Sequence, residues 1–224
     1  MKKVIGLVAV VLLAVGAYAQ YPMVDNIPGT FIDISGTGTA LHAGDDTSTA
    51  IITTIGNALL PAGTVYVCSN GHLGLVSDTA FANSPIPSAS FHGNSVALAP
   101  FWDDLNGAAG SGAGDVYWQQ IDNTLIIQWN GMAHYFNTGA VTFQVQVFGS
   151  GPYFAQYLYQ DVLFAGTPYD NGGDATVGYQ TNGTTGVQWS YNQPVIQNGE
   201  VLTIVPEPAS LLLLGLGLLG LRRR

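Results

Sequence analysis

Val141-Thr142-Phe143-Gln144-Val145-Gln146-Val147 alternates apolar and polar residues without a break. Successive side chains of an extended chain point to opposite faces, so Val141, Phe143, Val145 and Val147 share one face and Thr142, Gln144 and Gln146 the other. That period of two reads as an antiparallel strand with one face on a core and one in water. Gly149-Ser150-Gly151-Pro152 then turns into residues 153–160, which completes a hairpin. A second hairpin is expected from residues 115–121 and 124–130, which flank Asp122-Asn123. Further strand segments lie at 31–34, 51–55, 64–68, 73–76, 96–99, 175–180, 187–191 and 201–204. Asn-Gly pairs at Asn70, Asn106, Asn130, Asn171, Asn182 and Asn198 punctuate them as turns. No amphipathic helix of useful length interrupts the pattern. The expectation is an all-β domain over residues 20–204, an antiparallel β-sandwich or jelly-roll-like fold.

Charge placement narrows the function. The chain has 224 residues and five basic ones: Lys2, Lys3, Arg222, Arg223 and Arg224. Residues 20–204 therefore contain no Lys or Arg, yet hold every acidic residue except Glu207, thirteen of the fourteen. Such a body has no cations for phosphates, which excludes nucleic-acid binding. It has no Lys for a Walker-type phosphate loop or for Schiff-base chemistry. A strongly negative surface suits solvation outside the cell and also invites divalent cations.

The two ends read as addresses. Lys2-Lys3, the apolar run of residues 4–15 and the small residues Ala17 and Ala19 around Tyr18 form a signal peptide over residues 1–19, with cleavage expected after Ala19. At the other end Pro206-Glu207-Pro208 keeps the chain extended. A Leu/Gly run and three arginines follow it. Counted from Ala209 the apolar run is about 13 residues, roughly 20 Å of helix, which is short for a stable membrane span. The arginines hold the extreme terminus in the cytoplasm. A plain C-terminal membrane anchor is the simpler alternative. Residues 205–224 resemble the PEP-CTERM sorting signal, and the resemblance implies recognition near Pro206, Glu207 and Pro208 by an exosortase, a membrane cysteine transpeptidase. It also implies removal of the tail and an association with exopolysaccharide or biofilm.

In the body, Ser69-Asn70-Gly71 followed by Leu73, then Ala99-Pro100-Phe101-Trp102-Asp103-Asp104-Leu105, then Val116-Tyr117-Trp118 occur in that order. Ile126-Ile127-Gln128-Trp129 and Ala175-Thr176-Val177-Gly178-Tyr179 continue the series. This pattern resembles a nidogen-like extracellular domain, which implies a β-rich, adhesive or structural module without catalysis.

Individual residues offer few reactive groupings. Asp103, Asp104 and Asp115 flank a Gly-rich loop whose carbonyls, with these carboxylates, suit calcium, an ion that takes six to eight oxygens; turn capping by the same side chains is the alternative. Trp102 and Trp118, with Trp129 and Trp189, offer aromatic faces for sugar stacking or for core packing. Cys68 stands alone in a strand segment and reads as a buried thiol. A pairing with His72 or His134 carries no nucleophile signature. His42, His72, His92 and His134 lack metal-motif spacing. Glu200 is the one Glu of the body, so no opposed Glu pair of a glycosidase is present. The chain therefore reads as a non-enzymatic exported protein of the cell surface or extracellular matrix, held transiently at the inner membrane by its tail. Its partners are an exosortase and exopolysaccharide; the alternative is a soluble carbohydrate-binding module. Intact-mass measurement of protein recovered from its native host is expected to show loss of residues 1–19 and of the segment beyond the PEP motif; protein still ending in Arg224 would remove the sorting assignment.

Overall fold

The computed structural model describes residues 20–108, 114–135, 139–166 and 168–207. The signal peptide with Ala17 and Ala19, Pro208 with the apolar tail, and positions 109–113 of the Gly-rich loop lie outside the described residues. Among the described residues no helix is long and apolar enough to cross a membrane.

The strands among the described residues are β1 (Met23–Val24), β2 (Thr39–Ala40), β3 (Ser48–Thr53), β4 (Gly63–Cys68), β5 (His72–Gly74), β6 (Ala97–Trp102), β7 (Leu105–Asn106), β8 (Asp115–Ile121), β9 (Thr124–His134), β10 (Ala140–Phe148), β11 (Ala155–Asp161), β12 (Thr176–Asn182), β13 (Thr185–Tyr191) and β14 (Val201–Ile204). They form two antiparallel sheets. One runs β1-β14-β11-β10-β9-β8-β2, with β7 also on β9; the other runs β13-β12-β6-β5-β4-β3. This is the antiparallel sandwich that the alternating pattern implies. Both hairpins form as read, with Val145 opposite Tyr157 and Trp118 opposite Ile127.

One apolar core joins the inner faces. Leu125, Ile127, Trp129, Phe143, Val145 and Tyr157 of the larger sheet pack with Val65, Leu73, Leu98, Phe101 and Val177 of the smaller. Three buried polar groups pin the sheets through that core. Trp129 Nε1 donates to the Cys68 carbonyl at 2.9 Å, Tyr157 Oη to that of Gly178 at 2.9 Å, and Tyr159 Oη to that of Pro100 at 2.8 Å. Each satisfies a group that would otherwise be costly to bury.

The outer faces depart from the sequence reading. Gln144 and Gln146 were expected in water but are 0% and 4% exposed. Residues 28–34, expected to include a short strand at 31–34, are an extended strap crossing this face outside any strand. The strap's backbone pairs with side chains instead of a ladder. Ile32 N–H donates to Gln144 Oε1 (3.1 Å), and Ile34 N–H to Gln128 Oε1 (2.9 Å). Gln144, Gln146 and Gln156 return bonds to the carbonyls of Ile32, Thr30 and Pro28. A glutamine amide carries one acceptor and two donors without charge, so it can stand in for a strand edge in a dry setting.

The outer face of the smaller sheet is covered by residues 76–95. Gln188 Oε1 accepts from Ile86 N–H and Gln180 Oε1 from Ser88 N–H, while Gln180 Nε2 donates to the carbonyls of Phe91 and Ser95. Beneath this cover Ile86, Phe91, Ala97, Ala99 and Trp102 form a second small core. Turn chemistry also differs at one Asn-Gly pair. Asn130-Gly131 lies inside β9 rather than in a turn; Gly131 has φ of +63° where the β9–β10 register shifts, the mark of a bulge.

Gln144→Ala removes the rung between strap and sheet and leaves the Ile32 backbone groups without their partner. A loss of about 2–3 kcal/mol is expected by urea denaturation. Gln193→Ala on the exposed loop should stay within about 0.5 kcal/mol.

Candidate functional site

The two body motifs meet in space. Asn70 and Gly71 form the tight turn between β4 and β5, and Gly71 has φ of +75°. A side chain there would run into the Phe101 carbonyl oxygen. The turn's backbone receives the second motif: Phe101 N–H donates to the Gly71 carbonyl and Asp103 N–H to that of Asn70, each at 3.2 Å. Asn70 Oδ1 accepts from Leu105 N–H (3.0 Å), and Asn70 Nδ2 donates to Asp46 Oδ1 (2.8 Å). The Asn-Gly turn is thus the socket that holds the Asp103-Asp104 segment.

That socket separates the three carboxylates expected to share a calcium ion. Asp103 turns inward, 2% exposed, beside His134 and Asp174. Asp104 turns outward toward Asp45 and Asp46. Asp115 joins neither group: its Oδ1 accepts from Ala43 N–H and Val116 N–H at 2.7 Å, and its Oδ2 lies 3.7 Å from His42 Nδ1. The Asp103/Asp104/Asp115 site is therefore corrected. The chain bends at Asp103 between β6 and β7, which leaves Asp103 and Asp104 facing different groups, and Asp115 is occupied as a backbone acceptor.

The electrostatics follow the placement. Burial pushes the Asp103 carboxyl up to about 8, opposed by the Asp104 N–H and aided by the charges of Asp174 and Asp104. Asp104 is raised to about 6, first by burial and then by Asp46, Asp45 and Asp174. Burial holds the imidazole of His134 below its ordinary value. His134 occupies the end of β9 opposite Leu105 of β7. Its ring stacks on Tyr169 with centroids 3.9 Å apart and meets Phe164 edge-on at 5.4 Å.

Other expected residues fall as follows. Trp102 is 2% exposed, its ring stacked on Phe91 at 4.2 Å and its Nε1 bonded to the Ala80 carbonyl. It has no face for a sugar, so its assignment to glycan stacking is corrected to core packing. Trp118 is half-buried against the main core, at the edge covered only by β2. Cys68 is buried, and desolvation pushes its thiol up to about 12, the state of an inert thiol.

Two features had no signal in the sequence spacing. His72 and His92 meet under the 76–95 cover, Nδ1 to Nε2 at 2.8 Å, with their other nitrogens on the carbonyls of Ala80 (3.1 Å) and Val76 (2.6 Å). A cleft of about 500 Å³ is lined by Asp25, Trp189, Val195, Gln197, Asn198 and Glu200. Burial raises the Glu200 carboxyl, and Glu200 Oε2 accepts from Gln197 N–H.

The NIDO-related family model matches residues 21–211 of this chain, most of its length. The chain belongs to the NIDO-related family. Residues 205–224 match the PEP-CTERM protein-sorting motif. This NIDO-related protein is thereby an exported, extracellular protein whose tail implies exosortase processing, and both matched segments are of structural or sorting type rather than catalytic. No curated protein and no solved structure gives a significant match. Within the NIDO-related body, β14 ends at Ile204, Val205 N–H bonds the Pro22 carbonyl, and Glu207 is exposed, so the sorting motif leaves beside the edge strand β1.

The His72–His92 pair has a pH consequence. Burial, then the His92 charge, lowers the His72 pKa from 6.5 to about 3, and burial lowers His92 as well. Below the unfolded value the unfolded chain takes up protons that the native pair refuses, so this contribution is complete above pH 6.5 and fades as pH falls toward 3. The slope is about 1.4 kcal/mol per pH unit for each imidazole. The raised carboxyls of Asp103 and Asp104 act in the opposite sense. Urea midpoints between pH 7 and 4 are therefore compared with those of His72→Gln, which is expected to lose stability less steeply than wild type on acidification.

Proposed function

We propose that this protein is a structural or adhesive component of an exopolysaccharide matrix. In this reading residues 1–19 direct export, residues 20–204 are the mature β-sandwich, and residues 205–224 hold it at the inner membrane until exosortase acts. The observation that carries the reading is the sorting tail, which follows β14, the strand next to the edge strand β1, without a linker on a body that has no Lys or Arg. A body with thirteen carboxylates and no Lys or Arg stays soluble at high local concentration and avoids nucleic acids and anionic surfaces.

A second reading, a carbohydrate-binding module, draws support from the cleft. Trp189 is partly exposed and lines the cleft together with the carboxylates Asp25 and Glu200 and the amides Gln197 and Asn198. An apolar platform ringed by amide and carboxylate groups matches the alternation of C–H faces and hydroxyls on a sugar. Trp118 is the weaker aromatic platform because β2 and the core cover part of it.

Co-sedimentation with polysaccharide extracted from the native matrix separates the readings. Wild-type protein is expected to pellet with the polymer. If Trp189→Ala lowers the bound fraction at least ~10-fold, about 1.4 kcal/mol, the cleft is a glycan site. Equal pelleting of both proteins supports matrix association without that site, and failure of wild type to pellet removes the polysaccharide partner.

A further inference from the structure

We propose that Asp103, His134 and Asp174 form a binding site for a single divalent transition-metal ion of the zinc class. The donor atoms of the three side chains lie within 4.8 Å of one another. His134 Nε2 and Asp103 Oδ1 are 3.7 Å apart, too far for a hydrogen bond. Two ligands each held about 2.1 Å from a tetrahedral ion stand roughly 3.4 Å apart, so the spacing suits a shared cation with little adjustment.

A second observation points to a ligand. Asp103 Oδ2 is buried and has no hydrogen-bond partner among the described residues. A carboxylate in that position is expensive, and the body has no Lys or Arg to compensate it. The upward push on the Asp103 carboxyl is the same deficit expressed as a proton affinity. A divalent cation would supply the missing charge, and a neutral imidazole is a common ligand for such an ion.

The surroundings are built to orient the donors. Asp104 N–H fixes Asp103 Oδ1 at 2.8 Å. The Tyr169 and Phe164 rings set the plane of the imidazole. Asp174 sits between the Asp170–Gly172 turn and β12, whose Thr176 pairs with Trp102, and so reaches Asp103 across the sheet. Partners of this kind decide ligand orientation in metal sites. An imidazole beside two carboxylates selects zinc, cobalt or manganese over calcium, which prefers oxygen alone. Three protein ligands leave a coordination position for water.

The test uses the full chain in mild detergent, stripped with chelator, then titrated with Zn²⁺, Co²⁺ or Ca²⁺. One equivalent of Co²⁺ is expected to give a visible ligand-field absorption. Zn²⁺ at a hundredfold excess over its Kd should raise the unfolding midpoint by roughly 5–10 °C, while Ca²⁺ leaves it unchanged. Asp103→Asn and Asp174→Asn should each weaken Co²⁺ binding more than ~100-fold. Asp103→Asn keeps the shape of a buried group that cannot easily ionise, so its metal-free midpoint should equal or exceed wild type, which separates lost binding from lost folding. His42→Ala, at the exposed His42–Asp115 pair, should bind as wild type does. Absence of saturable Zn²⁺ and Co²⁺ binding, equal stabilisation by Ca²⁺, or unchanged Co²⁺ binding in Asp103→Asn would overturn the site.

Discussion

The constraint on which this structure depends is that nothing inside it can be neutralised by Lys or Arg. Buried polar groups must find neutral partners, and glutamine is the residue that supplies them. Gln128, Gln144, Gln146 and Gln156 hold the 28–34 strap on one sheet, and Gln180 and Gln188 hold the 76–95 cover on the other. Each amide replaces part of a strand ladder and brings no charge that would need desolvation. The sandwich is therefore four layers deep: cover, sheet, sheet and strap. A core of about one domain is extended by two dry outer faces.

The same constraint makes the few buried ionisable groups informative. The histidines under the 76–95 cover satisfy each other and two carbonyls, so that pair is closed and structural. Asp103 is the exception, a buried carboxylate with one oxygen lacking a partner among the described residues. Native interiors rarely leave such a group uncompensated. Its position is dictated by the Asn70-Gly71 turn, whose carbonyls fix the backbone on which Asp103 and Asp104 part company. The turn that joins the family's motifs is thus also the element that places the acidic chemistry.

Position along the chain matters for an exported protein. The first described strand, Met23–Val24, pairs with the last, Val201–Ile204, so the two ends of the described body lie together at one edge of the larger sheet. The sorting motif begins two residues beyond that strand, and Pro206 ends the ladder because it has no N–H to donate. A folded body and an accessible recognition segment are thereby compatible without a flexible linker.

Local information was enough for the class of fold, for both hairpins around 141–147 and 115–130 and for the sorting motif at the C-terminal end. Each of these depends on residues adjacent in sequence or on plain composition. It was not enough for the outer faces or the sites. Alternation at Gln144 and Gln146 says which residues share a face, not what covers it, and the cover arrives from more than a hundred positions away. Trp102 reads as an aromatic beside acids until residues 76–95 fold over it. Asp103 and Asp104 are inseparable in sequence, yet the bend between β6 and β7 sends them to different surroundings, one to His134 and Asp174 and the other to Asp45 and Asp46. Sequence by itself determined that this chain is an exported protein whose β-sandwich body contains no Lys or Arg. Only the tertiary structure decided which of its acids, histidines and aromatics meet, because strand register and loop closure are long-range choices that bring distant residues together.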